Sequence, residues 1–98
     1  MVKITVVKKA LFEDLATVIN DPRYLPFTEC QDFELGQEFI CDGNKPEGFC
    51  DAAWNDIKAD VFMIEAGGLP EIKIKEPNTT YASCTEGYRT AIFKIEKI

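Results

Sequence analysis

The chain opens with a two-residue alternation. In VKITVVKK, residues 2–9, Val2, Ile4 and Val6 fall on one side and Lys3 and Thr5 on the other, the pattern of a half-buried strand. The period then lengthens: in ALFEDLATVIN, Leu11, Leu15, Val18 and Ile19 recur at helical spacing. Glu13 and Asp14 fall in that helix's first turn, where the macrodipole favours acids, and Asn20-Asp21-Pro22 predicts its stop. A second, stronger helix is predicted over residues 50–66. Cys50, Ala53, Trp54, Ile57, Val61 and Ile64 form its inward stripe, with Asp51, Asn55, Lys58 and Glu65 lying away from it. Gly67-Gly68 and then Pro70 end it, while Phe62 and Met63 widen its apolar face toward a further packing partner.

Between the helices, Pro22, Pro26, Gly36, Gly43 and Pro46 leave room only for short strands. The best is QEFIC, with Phe39 and Cys41 on one face; Phe33 and Leu35 of QDFELG suggest another short extended piece. EIKIKE, residues 71–76, alternates Ile72 and Ile74 with Lys73 and Lys75 and reads as an edge strand guarded by its lysines. The tail reads as a hairpin, YASC and TAIFKIEKI joined by TEGYR, with its bend at Gly87.

Helices and strands are segregated rather than alternating as βαβ units, which predicts an α+β fold. One domain over residues 1–98 is expected, a small mostly antiparallel sheet covered by two helices and closed by a C-terminal β-hairpin. Its expected core is Val2, Ile4, Val6, Leu15, Trp54, Ile57, Val61, Phe93 and Ile95. The 98 residues and a 46% apolar content suit a single modest core.

Charge narrows the choice of partners. Seventeen acidic against eleven basic residues give −6, a field that repels phosphate, and no Lys/Arg stripe is present, so nucleic acid is not an expected partner. Lysines 3, 8 and 9 interrupt the N-terminal apolar run, and no stretch reaches the roughly 20 apolar residues of a membrane span. The expectation is a cytoplasmic protein without a membrane partner, whose four cysteines are thiols unless they bind something.

The absence of histidine removes the commonest general base, the Ser-His-Asp and Cys-His arrangements and every imidazole-dependent zinc site. No phosphate-binding glycine loop or EF-hand spacing occurs. Cys30, Cys41, Cys50 and Cys84 are 11, 9 and 34 residues apart, unlike the close pairs of metal knuckles, and buried small hydrophobes are the plainer reading of them. Two have local arguments for chemistry. Cys50 in the first turn of the long helix would feel the positive end of its dipole, and Cys84 ends a strand at a turn where side chains are often exposed. Glu47 with Asp51, or Asp56 with Asp60, could act on protons or a hard cation, although a solvated face explains both pairs. Trp54 and Phe49 could line a pocket but suit a core equally.

VKITVVK, GQEFI, PEGFCDAAW, the Gly67-Gly68 pair and CTEGYRTAIFKIEKI together resemble a family of uncharacterised small prokaryotic proteins of about this length, over nearly the whole chain. The resemblance implies a cytosolic bacterial or archaeal protein. It also implies a shared purpose for Cys30, Cys50 and Cys84, with Cys41 at a position where members often carry an ordinary strand residue. It brings no activity, substrate or cofactor. Two functional readings follow. In the first, Cys30, Cys50 and Cys84, with Cys41 or an exogenous fourth ligand, bind zinc, Cu(I) or an iron-sulfur cluster, or undergo redox chemistry. In the second, the cysteines are structural, and helix 50–66 or strand 71–76 docks a protein partner or a second copy in a homo-oligomer. An enzyme using Cys50 as nucleophile is the least favoured without histidine.

Overall fold

The structure, a computed structural model, describes residues 1–19, 21, 23, 28–70 and 73–98. The element order is β1 (Val2–Leu11), α1 (Glu13–Ile19), β2 (Glu38–Cys41), α2 (Asp51–Glu65), β3 (Thr79–Ser83) and β4 (Arg89–Lys97). The four strands form one antiparallel sheet in the order β2-β1-β4-β3. The fold is α+β, as the segregation of elements predicted, and no helix among the described residues is long and apolar enough to cross a membrane.

Alternation divides the sheet into two faces. Ile4 pairs with Phe39 and Ile95, and Val6 with Phe93, so that the inner face is a continuous apolar layer on which α2 lies across β1, β3 and β4. The outer face remains wet, as is common for antiparallel sheets. On it Lys3 bridges Glu38 at 3.5 Å and Glu96 at 3.6 Å, an exposed network that contributes little to stability.

The first strand runs past the expected end. Ala10 and Leu11 pair with Thr90 and Arg89, and a β-bulge between Val6 and Lys8 allows this by leaving Val7 as an extra residue. Leu11 therefore belongs to the sheet and not to the helix face predicted for it. The helix that follows buries only Ala16, and Leu15 is 41% exposed, correcting its placement in the core and the expectation that two helices cover the sheet. Seven residues are too few to present a full inward stripe, and the apolar positions Val18 and Ile19 also point to solvent. Of the expected stop, Asn20 and Pro22 lie outside the described residues, as does Pro26.

Helix α2 is positioned at both ends. Gly48, at φ +80°, turns the chain with the Phe49 N–H donating to the Pro46 carbonyl, which carries Phe49 into the core just before the helix starts. At the other end Gly67, also at φ +80°, and Gly68 donate to the carbonyls of Ile64 and Met63, a Schellman stop, while Lys97 Nζ donates to the Glu65 carbonyl. Ala53, Ile57, Val61 and Ile64 are buried as predicted; Trp54 is only half-buried, stacked edge-on between Phe49 and Phe62 at the border of the core.

Two expected strands are not formed. Phe33 and Leu35 belong to an irregular segment that turns at Leu35-Gly36, with Phe33 buried and Leu35 exposed. Residues 73–76 carry no strand, and Glu71 and Ile72 lie outside the described residues. Pairing explains the second case: Thr79–Ser83, brought back by the turn at Gly87, occupies the free edge of β4, and the chain ahead of it bends at Pro77-Asn78, where Asn78 has φ 52°.

The irregular segment contributes the central core ring. Phe33 meets Phe49 and Phe93 at centroid distances of 5.0 Å each and Phe39 at 5.9 Å, all edge-on. Phe33→Ala is expected to lower the unfolding free energy by about 3–5 kcal/mol. Leu15→Ala should stay within about 0.5 kcal/mol of the parent. Urea denaturation of the two variants checks the contrast.

Candidate functional site

Cys30, Cys50 and Cys84 come from an irregular segment, a helix cap and a strand end, and all three line one cavity of about 370 Å³ beside the N-terminus of α2. That volume suits a small ligand. Buried Cys30, Phe33, Ala53 and Cys84 form its floor; exposed Ala52, Asn55, Asp56, Thr85 and Glu86 form its rim, and Cys50 is half-buried between them. Among the described residues no lysine or arginine lines it.

Local folding explains each position. Cys30 lies three residues before Phe33, whose ring anchors that segment in the core. Cys50 follows Phe49, anchored by the same cluster, and stands at the N-cap of α2 with extended backbone (φ −61°, ψ 128°), one residue ahead of the first turn predicted for it. Its side chain caps nothing, while its carbonyl accepts the Trp54 N–H at 2.9 Å. Cys84 immediately follows β3. The backbone N–H of Ala91 donates to its sulfur at 3.3 Å, and its own N–H donates to the Ala91 carbonyl. It is therefore 6% exposed, where a strand-end position had suggested exposure.

The cavity's acidic side chains have distinct tasks. Asp56, on α2, accepts from both the N–H and the hydroxyl of Thr85 at 2.8 and 3.0 Å, and so ties the segment after Cys84 to the helix. Glu86 Oε1 accepts from Arg89 Nε and Nη2 at 3.0 and 2.8 Å. The expected pairing of Asp56 with Asp60 is not the use made of either. Asp60 is half-buried, and burial raises its carboxyl above the ordinary value. Asp51, paired in expectation with Glu47, instead forms an ion pair with Lys45.

Burial also pushes the Cys30 thiol up, opposed by the backbone N–H of Asp32 and reinforced by the charges of Asp32, Glu86 and Cys84. Cys41 is raised by burial as well, but it does not line the cavity: it pairs with Val2 on the inner face, and its sulfur bonds the Asn44 carbonyl at 3.1 Å. Among the described residues no three Cys, Asp or Glu side chains are gathered so as to hold a metal ion. Phe33, Asn55, Thr85 and Glu86 had not been singled out for the site. The only signal for them was the CTEG turn, which placed Thr85 and Glu86 beside Cys84.

Two outcomes follow from these contacts. Asp56→Ala is expected to destabilise the fold by about 1 kcal/mol, read from the urea midpoint, because the N–H and hydroxyl of Thr85 lose their shared acceptor. The raised Cys30 and Cys41 thiols favour the neutral form in the folded state. Stability they contribute is present below the ordinary thiol value and lost as pH rises through their folded values. The urea midpoint should therefore fall above about pH 8.5, and less steeply in Cys41→Ala. No family model matches the chain, and neither a curated protein nor a solved structure matches it.

Proposed function

We propose that the protein binds a soft, thiophilic metal ion in the cavity that Cys30, Cys50 and Cys84 help to line. The observation that carries this reading is the meeting of three of four cysteines, 20 and 34 residues apart along the chain, at one small cavity. Electrostatics favours a cation there, because Asp56 and Glu86, the latter paired with Arg89, stand on the rim and no basic side chain among the described residues lines the walls. Burial raises the Cys30 thiol, the opposite of the shift a free redox thiol needs.

Anaerobically reduced protein equilibrated with Zn(II), Cd(II) or Cu(I), then desalted and analysed for metal, is expected to retain one equivalent of at least one of them. Cys41→Ala should retain as much, and the triple variant Cys30→Ala, Cys50→Ala, Cys84→Ala none. Retention by the triple variant, or its loss in folded Cys41→Ala, would place the metal elsewhere and end the proposal.

A second reading, self-association, has its own observation: Phe12, Leu15, Val18 and Ile19 are 50%, 41%, 82% and 55% exposed on one short stretch of chain. On helix 50–66, whose wide apolar face was expected to serve this purpose, the stripe Ala53, Ile57, Val61 and Ile64 is buried, and Phe62 is 47% exposed. Light scattering across a hundredfold concentration range should show a dimer that Val18→Glu dissociates; a monomer throughout rejects it.

A further inference from the structure

We propose that the same cavity also admits a small organic ammonium ion, one cationic head on a compact apolar body, independently of any metal. Its room is that of a small molecule: about 370 Å³ lies at the small end of the roughly 300–1,000 Å³ range of organic-ligand sites. The floor is apolar. Phe33 and Ala53 are 2% and 1% exposed, and the buried Cys30 and Cys84 beside them have the character of small hydrophobes. A hydrocarbon group entering there displaces water from apolar walls, which favours binding whatever the state of the thiols.

The rim sets the sign of the ligand's charge. Asp56 Oδ2 accepts both the N–H and the hydroxyl of Thr85, at 2.8 and 3.0 Å, which holds the carboxylate in place. Asp56 Oδ1 bonds nothing among the described residues and is left to accept from a ligand. Glu86 is matched by Arg89, whose Nη2 stands 2.8 Å from Oε1. Lys58 reaches the Asn55 oxygen at 3.5 Å but does not line the cavity. The uncompensated charge of the lining is therefore one carboxylate, that of Asp56. The N-terminus of α2 beside it carries about half a positive charge, too little to reverse the sign.

Floor and rim together orient the ligand. The apolar body turns inward to Phe33 and Ala53, and the head stays at the mouth beside Asp56, where it keeps part of its hydration while accepting the carboxylate's field. A neutral molecule of the same shape forgoes the charged contact, and an anionic one is repelled.

The test uses the whole chain, reduced and metal-free in EDTA, titrated calorimetrically with benzylammonium, neutral benzyl alcohol and anionic phenylacetate. Benzylammonium is expected to bind at least about tenfold more tightly than either. Asp56→Asn, which keeps an oxygen for Thr85, should weaken benzylammonium about tenfold and leave benzyl alcohol unchanged. Ala52→Trp, at an exposed position on the rim, should close the mouth to both. In the wild-type complex, proton NMR should show cross-relaxation from the bound benzyl ring to the Phe33 ring and the Ala53 methyl. Equal affinity for the alcohol, preference for phenylacetate, or ring contacts confined to other residues would overturn the proposal. Absence of benzylammonium binding overturns it as well, and leaves metal retention to be judged by its own assay. Benzylammonium bound by protein that retains no metal supports it and ends the metal reading alone. The probe comparison and the NMR contacts use wild-type protein, so they decide the matter even if a variant fails to fold.

Discussion

The edge-on packing of Phe33 against Phe49 and Phe93 is the contact on which the rest of the molecule depends. Phe33 sits in a segment without helix or strand, and ordering such backbone costs about 1–2 kcal/mol per residue. One buried ring returns about 1.5–3 kcal/mol, so Phe33 alone cannot hold its segment. It acts jointly with Phe39 and Phe49, and with the bonds from Gly36 N–H to the Val6 carbonyl and from Val6 N–H to the Gln37 carbonyl. The cluster joins the middle segment, the cap of α2 and the sheet. These are the places from which Cys30 and Cys50 arise and against which Cys84 is set.

Much of this was legible in the sequence. The two-residue period of Val2, Ile4 and Val6 marked β1, the Cys50-to-Ile64 stripe and Gly67-Gly68 marked α2 and its stop, and Gly87 marked the hairpin, since each signal is local and periodic. Phe33 was hidden because its burial depends on partners 6, 16 and 60 residues away, and its surroundings have no period. The bulge at Val7 was hidden too: β-branched Val6-Val7 looks like uninterrupted strand, and only the pairing with β4 shows that one residue is extra. For EIKIKE alternation was present, but a strand also needs a free partner edge, and Thr79–Ser83 had taken it.

Of the three cysteines at the cavity, Cys50 and Cys84 were singled out by their place at a helix start and a strand end and Cys30 by resemblance, while their spacing gave no hint that they meet. Their chemistry comes from place instead. Burial on the apolar floor raises the Cys30 thiol, the Ala91 N–H donates to the Cys84 sulfur, and carboxylates stand at the rim. Cys41 is equally buried but lies elsewhere, on the inner face of β2, where its sulfur meets the Asn44 carbonyl and the backbone N–H groups of Gly43 and Asn44. One residue type thus occupies two environments, and access to the cavity distinguishes them.

The strand order β2-β1-β4-β3 has a consequence for how the protein is made. β4 is the last element in the chain, yet it lies inside the sheet, with β1 on one side and β3 on the other. During synthesis from the N-terminus the sheet cannot close until Arg89–Lys97 has emerged, and the long-range β1–β4 ladder then forms late. Because Ala91 of that strand holds the sulfur of Cys84, the thiols assemble only in the finished fold. A nascent or truncated chain lacking this strand carries the same cysteines as separate side chains, so the cavity is absent until Arg89–Lys97 has been synthesised.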